Sequence, residues 1–263
     1  MSTPTAIWGP MTGDKTKILD GKTALVTGAA QGLGLAIARA FFEAGATVIL
    51  TDVSAGVEAA ANELSAGTGR ATSWNFDVRS EVAWDGALKH AVGAVGRLDI
   101  VVNNAALTVP RSVWDISESE WDDVLAVNLR GVFYGCRVAG RHMRERGYGR
   151  IINLSSLAGQ RGGVVAGAHY SASKAGILAL TKCFAQELGS SGVTVNSIAP
   201  AAIDGPAARA MPPEKVQGLA KTIPVGRLGN DREVGAAAVY LASDDATFVT
   251  GSTLDVNGGV LMR

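Results

Sequence analysis

The run from Lys22 to Ala44 constrains the fold more than any other part of the chain. Lys22 to Thr27 is short, apolar and rich in β-formers, Gly28 closes it, and apolar residues then recur at helical spacing from Gly32 to Ala44. The order is strand, glycine turn, helix. Such a strand is buried only if a second strand lies beside it and the helix packs back over the sheet. The next residues follow that rule: Ala46 to Thr51 reads as a strand closed by Asp52, and Ala55 to Leu64 as an alanine-rich helix.

Further strands are predicted at Ala71 to Phe76, Leu98 to Val102, Arg150 to Leu154, Val193 to Ile198 and Thr253 to Val256, with helices between them. Seven near-continuous apolar strands alternating with helices predict a doubly wound α/β fold, a Rossmann-like parallel sheet covered on both faces. The 33 glycines lie at the ends of apolar runs, and neither a repeat nor a composition break divides the chain. One domain over 21–263 is therefore expected, after a polar leader over 1–20.

Gly28, Gly32 and Gly34, with Gln31 and Leu33 among them, form a loop that opens the first helix. In that context the main-chain N–H groups and the helix N-terminus can hold a pyrophosphate. Asp52, eighteen positions after Gly34, stands where a carboxylate accepts hydrogen bonds from an adenosine ribose; the alternative is a cap on the next helix. A carboxylate there repels a 2′-phosphate, and with Gln31 in the loop and Val53 after the Asp no nearby cation offsets it. NAD is thus expected over NADP.

Tyr170 and Lys174 are four residues apart, so on a helix they share a face. A free tyrosine has a pKa of about 10, which a nearby ammonium lowers, making the phenol a usable acid or base. Alone, the pair also fits an ordinary surface lysine beside a half-buried tyrosine.

Taken in order, Thr27-Gly28-x-x-x-Gly32-x-Gly34, Asn103-Asn104-Ala105-Ala106, Ser155-Ser156, Tyr170-x-x-x-Lys174 and the Pro200 loop resemble the short-chain dehydrogenase/reductase family over nearly everything after residue 20. The resemblance implies an oxidoreductase for a secondary alcohol and its ketone. It implies Tyr170 as general acid/base and Lys174 as the residue that lowers its pKa and holds the nicotinamide ribose. It implies Ser156 as the residue that polarises the substrate oxygen, with Ser155 its competitor, and Asn128 as the residue that holds a relay water. Asp77 and Val78 match the adenine-contacting pair, and Asn104 matches an asparagine whose main chain borders the cofactor. Asp77 as a helix cap and Asn104 as a turn residue are the alternatives. Pro200 and Ile203 match the backbone that follows the sixth strand.

Three departures from the family pattern stand out. Ala106 replaces the glycine of Asn-Asn-Ala-Gly, Gly205 replaces a threonine that in relatives holds the carboxamide, and the interval from Ser156 to Tyr170 is a residue longer than in 3-oxoacyl carrier-protein reductases. Tyr134 and Gln186 replace features that suit an acidic carrier protein, which weakens a 3-oxoacyl thioester as substrate but leaves it the second reading, ahead of a non-catalytic nucleotide-binding regulator. Leu107, Val109, Val165, Met211 and His169 are candidate pocket residues, His169 more in keeping with another surface of its helix. Arg161 or Arg111 can hold a carboxylate or simply be solvated. The segment Asp204 to Gln217 lies where a lid would cover the ligand.

Two helices, Glu118 to Arg146 and Ala168 to Leu188, are apolar or small around most of their circumference and are expected to join copies into a homodimer or homotetramer. A net charge of zero offers nothing to nucleic acid or an anionic membrane. No run reaches the ~18 apolar residues of a span, and 1–20 has no signal-peptide core, so a cytoplasmic location is expected. Cys136 and Cys183 lack metal-ligand spacing and are expected to be free, buried thiols. No Cys/His cluster points to a metal.

Overall fold

The computed structural model describes residues 17–163 and 166–263. In chain order the elements are β1 (Thr23–Thr27), α1 (Gly32–Glu43), β2 (Thr47–Asp52), α2 (Gly56–Ser65), β3 (Ala71–Asn75), α3 (Glu81–Val95), β4 (Ile100–Asn103), α4 (Glu118–Leu125), α5 (Gly131–Arg146), β5 (Gly149–Leu154), α6 (Leu157–Arg161) and α7 (Ala168–Leu188). There follow β6 (Val193–Pro200), β7 (Ile203–Asp204), α8 (Pro206–Arg209), α9 (Pro213–Thr222), β8 (Gly229–Asn230), α10 (Asp231–Ala242) and β9 (Thr253–Val256). The seven predicted strands form one parallel sheet in the order β3-β2-β1-β4-β5-β6-β9. The short parallel pair β7 and β8 was not expected.

Alternation along the strands divides the core between the two faces. Ala24 and Val26 of β1 join Ile37, Phe41, Val57 and Leu241 on one side. Leu25 joins Trp84, Val132, Ile151, Ile177 and Leu188 on the other. Packing begins before residue 21, since Leu19 is fully buried and its N–H donates to Ala44 O at 2.8 Å; residues 1–16 of the expected leader lie outside the described residues.

The predicted helix Glu118 to Arg146 is interrupted. A π-turn at Ala126–Arg130 separates α4 from α5, and the Gly131 N–H reaches back to Ala126 O. Such turns displace one residue from the helical register and recur at functional sites; here the displaced segment carries Asn128. The prediction that both thiols are buried is also corrected. Cys136 is buried, but Cys183 is exposed, because α7 turns that face away from the sheet.

Candidate active site

The carboxyl ends of β1, β2 and β4 meet where the strand order reverses, the place at which open parallel sheets take ligands. Gly28 at φ +65° and Gly32 at φ +58° turn the chain there. A Cβ on Gly34 would run into the Gly28 carbonyl oxygen and lie 2.6 Å from Asn104 Nδ2. Asn104 in turn braces the loop, its Nδ2 donating to Thr27 O at 2.8 Å and Gly28 O at 3.1 Å. Thr27 completes the brace by accepting the N–H groups of Asn104 and Ala105 on its hydroxyl, at 3.0 and 3.1 Å. Gln31, the N-cap of α1, makes no side-chain cap, and the first turn holds no acidic residue. Its N–H donors are thus left to an anion.

A cleft of about 340 Å³ opens on this loop, walled by Gly28, Gln31, Asp52, Val53, Asp77, Val78, Asn104 and Ala106. Gly32, Leu33 and Gly34 shape the turn without lining it, and Leu33 packs against the core. Asp52 is held by backbone, Oδ2 accepting from Ala30 N–H at 3.1 Å and Oδ1 from Ser54 N–H at 2.9 Å. The expectation that no cation stands near needs correction, because Arg79 also lines the cleft. It is tied to Asp77, with Nε at 2.9 Å and Nη2 at 2.7 Å from Oδ2. This pairing, through the Arg79 hydrogen bonds first, holds the Asp77 carboxyl below its usual range. The cleft's size, its braced glycine cradle and its carboxylate fit an adenine dinucleotide.

Two strands further along the sheet, Ser155 and Ser156 leave β5 with opposite fates. Ser155 is buried and donates to Lys174 O at 2.8 Å. Ser156 caps α6, its Oγ accepting from Ala158 N–H at 3.1 Å, and its hydroxyl stands near enough to the Tyr170 phenol to lower the phenol's pKa. The geometry therefore separates the two serines in favour of Ser156. Thr108, which no sequence pattern singles out, acts on the same phenol from the loop after β4. Burial pushes the Tyr170 phenol above its ordinary pKa, and the two hydroxyls pull it partly back.

Lys174 does not lie against the phenol oxygen. Its Nζ donates to Leu154 O at 2.6 Å and sits 5.6 Å from the Tyr170 ring centroid. Burial brings its pKa down to about 8. Asn128 is fully buried, and its amide holds two segments together: Oδ1 accepts from Leu107 N–H at 2.7 Å, while Nδ2 donates to Leu107 O at 2.9 Å and Ser173 Oγ at 3.2 Å.

A second cleft of about 330 Å³ is lined by Ser156, Leu157, Arg161, Ala202, Leu219 and Ile223 among others. Leu107, Val109 and Met211 are not in its wall, and Met211 faces a separate hollow with Arg209; Val165 lies outside the described residues. Ala201 and Ala202, rather than Pro200 and Ile203, reach both this cleft and a neighbouring one, because β6 ends at Pro200 and Ile203 turns to the core. Arg111 is paired with Glu120 at 2.9 Å, so Arg161 alone of the two candidates keeps its guanidinium without an ion pair among the described residues. At Gly205 a Cβ would meet open space, so nothing steric excludes the family's threonine.

The Lys174 shift has a consequence for stability. Its pKa is lower folded than unfolded, so the unfolded chain binds the extra proton between about pH 8 and the ordinary lysine value of 10.5, and stability rises with pH across that window. Below it the buried ammonium is a constant burden. Lys174→Met is expected to stabilise the ligand-free protein by about 2 kcal/mol at pH 7, raising Tm by about 4–8 °C. Calorimetry at pH 7 and pH 10 checks this, the gain shrinking at the higher pH; an unchanged or lower Tm at pH 7 would contradict it.

A parallel sheet that offers a phosphate cradle after β1 and, after β5, a serine hydroxyl beside a buried phenol is suited to exchanging hydride between a nucleotide cofactor and a carbon that bears oxygen. This is the class of nicotinamide-dependent oxidoreductases. A family model described as enoyl-(acyl carrier protein) reductase matches residues 28–261. The chain is 40% identical to the 3-oxoacyl-[acyl-carrier-protein] reductase FabG of Vibrio harveyi over 93% of this chain and 99% of that one. Among solved structures, a protein of Sinorhizobium meliloti 1021 provisionally described as a short-chain alcohol dehydrogenase superposes with TM-score 0.86 at 35% identity, covering 92% of this chain and 97% of that one. One of Agrobacterium tumefaciens provisionally described as a gluconate dehydrogenase gives 0.89 at 30% identity, covering 95% and 100%. The chain belongs to the short-chain dehydrogenase/reductase family, whose members are oxidoreductases that use nicotinamide cofactors.

Proposed function

We propose that the protein interconverts a secondary alcohol and its ketone with NAD(H), using Tyr170 as general acid/base. The observation that carries this reading is that Ser156 lines the second cleft while its hydroxyl acts on the Tyr170 phenol, lowering the phenol's pKa against the effect of burial. A bound nicotinamide supplies the hydride acceptor or donor. Ser156 donates to the substrate oxygen, and Tyr170 gives that oxygen a proton in reduction or takes one in oxidation. With its pKa raised, Tyr170 in the ligand-free chain is protonated at neutral pH, the form that serves a ketone. The cofactor is held by the glycine loop, by Asp52, by Val53, Asp77 and Val78 at the adenine end, and by Asn104 and Lys174 towards the nicotinamide. A panel of secondary alcohols, polyols and hydroxyacyl thioesters, followed by nicotinamide absorbance, tests it.

NAD is proposed over NADP because the Asp52 carboxylate stands in the cleft while Arg79 is already matched by Asp77. Asp52→Ser is expected to narrow the ratio of NADPH to NADH dissociation constants by at least about tenfold, measured by nucleotide fluorescence. An unchanged ratio would remove Asp52 from cofactor choice.

Arg161 bears on the substrate. It lines a mostly apolar cleft beside Ser156 without an ion pair among the described residues, so a substrate with an anionic group is favoured. Arg161→Gln is expected to lower kcat/KM about tenfold or more for a hydroxy acid while sparing its methyl ester. Equal losses for both would contradict that role. A 3-oxoacyl thioester is the second reading, supported by the likeness to the Vibrio harveyi reductase.

Self-association through α5 and α7 belongs to the same proposal, as does a cytoplasmic site of action. Ala172, Ala175, Ala179, Cys183 and Gln186 are exposed on α7 at spacings of three and four, one continuous face of small residues ending in Gln186. Among the described residues no helix is long and apolar enough to cross a membrane.

A further inference from the structure

The first turn of α7 holds its tyrosine by an unusual means. A helix leaves its first N–H groups without intrahelical partners, and Gly167, the N-cap here, has no side chain to supply one. The Tyr170 N–H donates instead to Nδ1 of its neighbour His169, at 2.9 Å. The imidazole is fully buried and lies against Gly167, where a Cβ would come within 2.7 Å of Nδ1. Its other nitrogen faces Glu120 Oε1 at 3.2 Å, and Glu120 is gripped by Arg111 at 2.9 Å.

The partners assign the tautomer. Nδ1 meets a donor and has to accept; Nε2 meets a carboxylate, which Arg111 holds below its usual pKa, and has to donate. The neutral Nε2–H form satisfies both. On the other side of Tyr170, its carbonyl accepts from Ser173 Oγ at 2.7 Å, and Ser173 accepts from Asn128. The Tyr170 main chain is thus fixed at both its N–H and its C=O. The chain of contacts from Arg111 also ties the loop that carries Thr108 to the helix that carries Tyr170.

We infer that His169 is a positioning residue for Tyr170: its Nδ1 anchors the tyrosine's main chain, and Glu120 with Arg111 orients the imidazole to do so. The inference rests on Tyr170 being the acid/base group, but its first readout does not. Neither the Tyr170 to Lys174 spacing nor the cofactor loop requires it.

Two isosteric substitutions separate the two bonds. Asparagine places Oδ1 where Nδ1 stands and keeps the acceptor for Tyr170; glutamine places Nε2 where the imidazole Nε2 stands and keeps only the donor to Glu120. In His169→Gln the Tyr170 amide is expected to exchange with solvent deuterium at least about tenfold faster than in wild type, and in His169→Asn to stay within about threefold. With a substrate from the panel, kcat is expected to fall about tenfold or more in His169→Gln and to be largely retained in His169→Asn. The dissociation constant for NADH should stay within about twofold in both, unlike a general loss of structure. In wild type, ¹⁵N shifts should show Nδ1 unprotonated and Nε2 protonated.

Wild-type exchange and kcat in His169→Gln, or His169→Asn as impaired as His169→Gln, overturns the inference, as does the opposite tautomer. If no alcohol or ketone is turned over, the oxidoreductase reading fails, and the inference about catalysis fails with it. The exchange comparison then still decides whether His169 anchors the Tyr170 main chain.

Discussion

Tyr170→Phe is expected to lower kcat by about three orders of magnitude while leaving the dissociation constant for NADH within about threefold, since general acid/base groups contribute roughly 10²–10⁴. The substitution removes one oxygen, the one whose ionisation the Ser156 and Thr108 hydroxyls favour. Its ring remains, and so do the main-chain bonds to His169 and Ser173 that locate it. The loss should therefore fall on the chemical step. Turnover within about tenfold of wild type would eliminate Tyr170 as the acid/base. A cellular effect that survives the loss of turnover would instead support a nucleotide-binding regulator.

The second large effect is expected at Gly34. A methyl there would collide with the Gly28 carbonyl oxygen and the Asn104 amide nitrogen, so the turn has to open or Asn104 has to let go of Thr27 and Gly28. Either change displaces N–H donors aimed at a pyrophosphate. A hydrogen bond to a charged group contributes about 1.5–3 kcal/mol, so losing one or two weakens binding by about 10- to 10⁴-fold. Gly34→Ala should show this in a fluorescence titration with NADH, with a far-UV circular dichroism spectrum close to wild type. Gly32→Ala should do less, because its φ of +58° makes a side chain strained but no atom stands in its way. Equal effects at the two positions would mean that backbone strain, not collision, governs the loop.

What sequence made legible is what local pattern controls. The seven strands lie within a few residues of prediction because most are short apolar runs closed by a glycine or polar residue, a pattern that marks where a strand begins and ends. The glycine loop and the Tyr170 to Lys174 spacing could be read because one turn or one helix fixes their geometry. Contacts made across long stretches of chain were hidden. Glu120 meets His169 across 49 positions, and Asn128 meets Ser173 across 45. Arg79 was missed because its place in the cleft depends on how β3 delivers Asp77, not on distance from the glycine loop. The expectation for Lys174 assumed that a shared helix face brings ammonium and phenol together; the buried Leu154 carbonyl draws the ammonium elsewhere. The helix 118–146 reads as continuous because a π-turn shifts the helical pattern by only one residue, too little to break it in sequence.

The bonds made by Asn128 have a mechanical consequence. They join Leu107 on one segment to Ser173 on another, while Arg111, Glu120 and His169 join the same two segments at a second place. Two separate fasteners thus clamp the loop after β4 and the start of α7 into one rigid block. By contrast α9, whose Leu219 and Thr222 line the second cleft with Ser156, has no fully buried residue, so that wall is held by far less packing than the block that carries Tyr170.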